Sequence, residues 1–242
     1  MKKVFNLLLI LVLSLTLSHP SGWTAKDQGL RKLQIWLKGF GENYTIQELK
    51  NLKGLSLAVI QLKALPKEIG SLQSLQTLYL RVCQLNVLPK EIGNLQNLQS
   101  LDLGWNELKA LPKEIGHLKN LQEVYLQRNQ LKALPKEIGH LKNLQKLDLA
   151  WNRLKALPKE IGNLKNLQWL YLGENQLKAL PKEIGNLKNL HWLELRDNQL
   201  KALPKEIGDL KNLKLLDLEN NKLSDKEKEK IKKLLPKCKI YF

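Results

Sequence analysis

Seven large aromatic residues recur at fixed separations along the chain. Tyr79, Tyr125 and Tyr171 are spaced 46 residues apart, as are Trp105 and Trp151, and Trp169 lies 23 residues before Trp192. Midway between the tyrosines, and after the last of them, stand the acids Asp102, Asp148 and Glu194. Arg128 falls midway between Trp105 and Trp151, with Glu174 and Asp197 continuing that series, and Arg81, Glu123 and Arg196 lie two residues from Tyr79, Tyr125 and Glu194. Such a set offers ring faces, apolar area and charge of both signs, which is the chemistry of non-covalent recognition. The sets that catalysis requires are missing. There is no Ser/His/Asp arrangement, no Gly-rich phosphate loop after a strand, and no Cys/His cluster at metal spacing. The chain reads as a non-enzyme that needs no cofactor and no metal. His117 and His140 are also 23 residues apart, and are read as a duplicated surface residue rather than a two-ligand metal site.

The elements that would position these residues follow from the same period. LPKEIG begins at Leu65, Leu88, Leu111, Leu134, Leu157, Leu180 and Leu203, each 23 residues after the last. Ahead of each lies L-x-x-L-x-L-x-x-N-x-L, for example Leu144, Leu147, Leu149, Asn152 and Leu154. L-x-L puts two leucines on one face of a short strand and the residue between them on the other. A single repeat cannot bury its leucines, but stacked repeats share one continuous core. The asparagines Asn106, Asn129, Asn152, Asn175, Asn198 and Asn221 are expected to form a ladder, each amide satisfying backbone groups of the adjacent coil. Cys83 stands in that column in an earlier repeat and could do so only weakly. Ile60, before it, could not. Pro66 and its equivalents should open a short turn on the return path, with Gly70 and its equivalents discouraging a long helix.

These motifs resemble the leucine-rich-repeat family, in the 23-residue form whose second half reads LPxEIGxLxxL. The Lys-rich, nearly identical repeats are similar to exported leucine-rich-repeat proteins of pathogenic spirochaetes. The resemblance implies an α/β repeat solenoid, a curved right-handed horseshoe with a parallel β-sheet on its concave face and short helical or 3₁₀ turns on its convex face. In that fold the third, fifth, seventh and eighth positions of L-x-x-L-x-L-x-x-N line the concave face, so the aromatic and charged columns share one surface. Four of six tryptophans and three of five tyrosines fall there. Rings on a strand surface are anchors for a partner, or else cross-strand neighbours that stiffen the sheet.

Residues 1–18 read as a signal peptide, with Lys2 and Lys3 ahead of the apolar run Val4 to Leu17 and small residues after it. Cleavage after Ser18 fits best, and Ala25 is a later alternative. No cysteine near the site suggests a lipid anchor, and no later apolar run suggests a transmembrane segment in the mature chain. The expected address is secreted, periplasmic or cell-envelope. Residues 26–51 read as an N-terminal cap, with Leu30-x-x-Leu33-x-Ile35 and Phe40 forming a degenerate repeat. Residues 52–223 hold eight repeats, and 224–242 a capping helix and strand. Ser224 and Glu227 have capping-box spacing, and Pro236 should end the helix. Cys83 and Cys238 would lie roughly 30 Å apart at the ~4.8 Å spacing of strands, too far for a disulfide.

The net charge of +17 advertises a polyanion partner. The concave columns carry the opposite sign. Besides the residues above, Lys146, Asp217 and Glu219 fall there, which makes eight acids against four bases. The positive excess lies in return-path columns such as Lys113, Lys136, Lys159, Lys182 and Lys119, Lys142, Lys165, Lys188. A protein ligand, from a host or from the envelope, is therefore expected on the concave face. An anionic glycan or lipopolysaccharide on the lysine columns is the alternative. Export, and the lack of aromatics among those columns, argue against nucleic acid.

Overall fold

The computed structural model describes residues 24–242. The expected signal sequence lies outside the described residues. Nine three-residue strands form one parallel sheet whose order is the order of the chain. They are β1 (Gly54–Ser56), β2 (Thr77–Tyr79), β3 (Ser100–Asp102), β4 (Glu123–Tyr125), β5 (Lys146–Asp148), β6 (Trp169–Tyr171), β7 (Trp192–Glu194), β8 (Leu215–Asp217) and β9 (Lys239–Tyr241). From β1 to β8 each residue pairs with the one 23 positions on, as in Leu147 with Leu170. Between strands, each KEIG segment forms a five-residue 3₁₀ turn, such as Lys136–His140. The solenoid implied by the repeats is thus the structure adopted, with its return turns 3₁₀ rather than α.

The core is the set of framework leucines and isoleucines. Leu144, Leu147, Leu149 and Leu154 of one repeat, with Ile138 and Leu141, are all fully buried. Removing a leucine or isoleucine side chain from water is worth about 1.5–3 kcal/mol each, which is the main driving force for stacking. The asparagine ladder forms as expected. Asn152 accepts the N–H of Leu131 through Oδ1 at 3.0 Å. Its Nδ2 donates to the carbonyls of Leu126 and Leu149, at 2.9 and 3.0 Å. Cys83 imitates half of this, its thiol donating to the Leu57 carbonyl at 3.0 Å.

A second asparagine ladder, not anticipated from the sequence, runs along the return path. Asn120, Asn143 and Asn166 donate to the carbonyls of Gln96, Lys119 and Lys142 in the preceding repeat, at 2.8–2.9 Å. These side chains are exposed and sit among lysines, so nothing in their surroundings marks them as structural.

Two expectations at the ends require correction. Leu30-x-x-Leu33-x-Ile35 is not a degenerate repeat. Ala25–Lys38 is an α-helix, α1, that buries Leu30, Leu33 and Leu37 and leaves Ile35 51% exposed. Burial at i, i+3 and i+7 is helical spacing, and it competes with the strand reading of the same letters. A reciprocal capping box between Thr24 and Asp27 starts the helix. The Asp27 carboxyl is held down to about 2, chiefly by its hydrogen bond with Lys50 and then by Thr24. Cleavage after Ala25 would remove the Thr24 cap. A second capping box, Thr45 with Glu48, opens the short helix α2 (Ile46–Asn51).

At the other end, α3 spans Asp225–Leu234 and β9 pairs with β8. The capping box there is half formed. Ser224 accepts the Glu227 N–H at 3.3 Å. The Glu227 carboxylate does not reach back; it accepts the Leu203 N–H at 3.2 Å and the Lys230 ammonium at 3.1 Å. It thereby ties the cap to the last LPKEIG segment. Cys83 and Cys238 are both free, and the sheet order places them beside β2 and β9.

One backbone feature was invisible in the pattern. The eighth position of every repeat is left-handed, with φ between 52° and 64° from Val59 and Val82 through Trp105, Arg128, Trp151, Glu174 and Asp197 to Asn220. Left-handed backbone costs an ordinary L-residue roughly 1–2 kcal/mol, more for a β-branched one and less for Asn. Val82, at φ 60°, is 41% exposed, so it gains little packing in return. Val82→Asn is expected to raise stability by about 0.5–1 kcal/mol, read as a higher urea midpoint at unchanged slope.

Candidate partner-binding surface

All sixteen residues expected at a partner-binding face lie on the strands or on the two or three residues that follow them. The alternation of the strand points Leu inward and its neighbours outward. The left-handed eighth position then swings its side chain to the rim of that face. Among the described residues nine large apolar side chains are exposed, and seven of them are on this face of the sheet: Val59, Tyr79, Val82, Trp105, Trp151, Trp192 and, on β9, Tyr241. Concentration of that kind makes this face the candidate interaction surface.

The rings do not simply stack on one another. Along the eighth column the Arg128 guanidinium sits between two indoles, 4.1 Å from the centroid of Trp105 and 4.3 Å from that of Trp151. Arg81 lies 5.7 Å from the outer side of the row, over Trp105. Cation–π contacts at exposed sites contribute about 0.5–1 kcal/mol apiece, so the row holds its own geometry before any partner arrives. A second group occupies the third and fifth columns. The Lys146 ammonium lies 5.0 Å from the Tyr125 ring and 5.7 Å from the Tyr171 ring. The Tyr125 hydroxyl donates to Glu123 at 3.1 Å. Burial and that bond push the Tyr125 hydroxyl up to about 12, so it stays a donor at any physiological pH. Tyr171 and Trp192 form the one ring pair on the face, 6.4 Å apart and tilted. Trp169 pairs with Trp192 in strand register and is half-buried.

The structure removes several charges from the pool available to a partner. Asp102 and Asp148 accept the N–H two residues on, from Gly104 at 2.8 Å and Ala150 at 3.1 Å. They finish their strands, and Asp217 does the same for Glu219. Burial raises the Asp148 carboxyl above the usual range, although the Ala150 N–H opposes it. Arg196 is held by Glu194 at 2.9 Å, which raises its pKa. Asp197 accepts from Asn220 at 2.9 Å. Glu174 stands half-buried at the end of the Trp–Arg row. The working surface is therefore the two aromatic–cation groups, flanked by acids that are partly committed to the fold.

Sequence reasoning overlooked two positions. Lys146 was legible only as one base among four; its role between two tyrosines depends on the alternation of Tyr with Asp across β4, β5 and β6. Gln127 lies against Gly104, whose missing side chain makes room for it, and its Oε1 is buried without a partner. The signal was in the seventh column, where Gly104 stands between Arg81 and Gln127. On the return face, Lys142, Lys165 and Lys188 each donate to a carbonyl of the next repeat at 3.3 Å. Those lysines serve the stack as well as the solvent. His117 and His140 are exposed at the ends of their 3₁₀ turns.

Comparison with known proteins agrees with this architecture. A family model described as a leucine-rich repeat region matches residues 28–127, 79–149, 124–191 and 161–235. The chain belongs to the leucine-rich-repeat family. Comparison with curated proteins gives no match. Among solved structures it is similar to a leucine-rich-repeat protein of Leptospira interrogans, at 43% identity and TM-score 0.51, over 81% of this chain and 62% of that one. It is also similar to the ectodomain of the Arabidopsis thaliana receptor kinase GASSHO1/SCHENGEN3, solved with CASPARIAN STRIP INTEGRITY FACTOR 2. That match has 36% identity and TM-score 0.59, over 66% of this chain and 20% of that one. An internalin C2 of Listeria monocytogenes shares the fold at 22% identity and TM-score 0.71, over 89% of this chain and 90% of that one. The leucine-rich-repeat chain thus spans less than two thirds of the leptospiral and plant structures. Leucine-rich repeats are protein-binding scaffolds, typically without enzymatic activity. Among the described residues no helix is long and apolar enough to cross a membrane.

Proposed function

We propose that this leucine-rich-repeat chain is an exported recognition module that grips a protein partner, from a host or from its own envelope, through the exposed face of its sheet. One observation carries the reading. Seven of nine exposed large apolar side chains among the described residues lie on that face, and its central rings are already ordered by Arg81, Arg128 and Lys146. Rigid aromatic anchors lose little freedom on binding, which is why they dominate interface energetics. The N-terminal run read as an export signal supports the location.

The test is a double substitution. Trp105→Ala with Trp151→Ala is expected to weaken capture of the partner at least ~100-fold, since two central anchors at about 2 kcal/mol each exceed that factor. The far-UV circular dichroism spectrum should not change, because both indoles lie outside the core. Binding would first be found by pull-down from host extracellular material and from the parent envelope, then quantified with the purified partner. Unchanged affinity in the double variant rejects the sheet face. Loss of binding on moving from low to moderate salt, with the double variant still active, would move the site to the lysine columns and to a polyanion.

A further inference from the structure

Of the four cations of the sheet face, Arg128 lies closest to two rings at once. Arg196 is held by Glu194, and Lys146 lies over two rings. Among the described residues no hydrogen bond or ion pair engages the Arg128 guanidinium. Yet it is not loose: both of its faces are covered, by Trp105 at 4.1 Å and by Trp151 at 4.3 Å. A planar group covered above and below keeps only its edge free, and the edge of a guanidinium carries the N–H donors. Arg128 itself is exposed, and its two indoles are 43% and 40% exposed, so that edge opens to solvent.

We infer that Arg128, fixed between Trp105 and Trp151, receives a carboxylate of the bound partner through two parallel N–H···O bonds. The inference rests on the sheet face being the binding surface and names the group recognised there. Two features select a carboxylate. The fork of N–H donors matches two coplanar oxygens. The indoles flank the guanidinium on both sides, so a flat group entering in its plane meets ring edges. The row is also polar end to end. Arg81 lies beyond Trp105 and Glu174 beyond Trp151, so an acidic partner residue is guided toward β2–β4 and away from β6.

Small probes test this without the partner in hand. The full chain, with isotope-labelled arginine and tryptophan, is titrated with acetate, acetamide and inorganic phosphate at constant ionic strength. Acetate should give saturable shifts at the Arg128 Nε–H and at the indole N–H groups of Trp105 and Trp151; acetamide should not. Arg128→Lys keeps the charge and loses the planar fork, and should weaken acetate binding about ten-fold or more. N-acetylaspartate amide and N-acetylglycylglycine then show whether a side-chain or a terminal carboxylate is preferred, and binding of either supports the assignment. No saturable shift, an equal response to acetamide, full binding by Arg128→Lys, or tighter binding of phosphate than of acetate would overturn it. The wild-type selectivity stands even if a variant folds poorly. Failure of acetate with partner capture still dependent on Trp105 and Trp151 removes the carboxylate alone. Acetate binding with partner capture indifferent to both tryptophans removes the sheet-face reading instead.

Discussion

Replacing Asn152 with alanine is expected to cost about 4 kcal/mol of stability, enough to lower the urea midpoint drastically. The side chain is 7% exposed and bridges two repeats. It accepts the Leu131 N–H and donates to the carbonyls of Leu126, Leu149 and, at 3.3 Å, Ala150. Alanine removes every partner at once and leaves backbone groups buried without one, at about 1–3 kcal/mol each for those water cannot reach. Because each repeat contacts only its neighbours, the damage is confined to the junction of β4 with β5. A lower unfolding slope or two separate transitions should therefore accompany the lower midpoint. Asn143→Ala is the matched control. It makes one exposed bond, to Lys119 at 2.9 Å, and should cost under ~1 kcal/mol. Equal losses at Asn143 and Asn152 would contradict the ladder as the source of cohesion.

Gly139→Ala is expected to cost about 3 kcal/mol, at the upper end of overpacking substitutions. A Cβ added there would stand 2.5 Å from the Glu160 carbonyl oxygen and 2.8 Å from the Glu160 Cβ of the next repeat. Neither atom is the mobile end of a long side chain, so the two 3₁₀ turns must move apart. The same approach recurs at Gly93 against Glu114 and at Gly116 against Glu137. The glycine of LPKEIG is thus required by close stacking of the return turns, not only by its reluctance to enter a helix. Gly41, at φ 87° with no atom within 4 Å of an added Cβ, lies outside the repeats and is the contrasting case of a conformational glycine. Gly139→Ala melting within ~1 kcal/mol of the wild type would show that the turns slide more easily than their contacts imply.

The sequence by itself determined the architecture, because the physics of a solenoid repeats with the letters. L-x-L must face inward, the asparagine must serve the neighbouring coil, and a fixed 23-residue step fixes the register of every strand. It also placed the aromatic columns on a single face, since strand alternation needs no knowledge of neighbours. The ends were less legible, because Leu30, Leu33 and Ile35 suit both a strand and a helix, and the exposure of Ile35 with the burial of Leu37 separates them. What tertiary structure alone decided is which side chains on the face are spent and which are free. Asp102 and Asp148 turn to their own backbone, Arg196 turns to Glu194, and Arg128 is left between two indoles. Those choices depend on distances of a few ångströms between residues 23 apart and on a left-handed backbone that no letter announces. A column shows what a surface contains; only the packed neighbours decide what it can still bind.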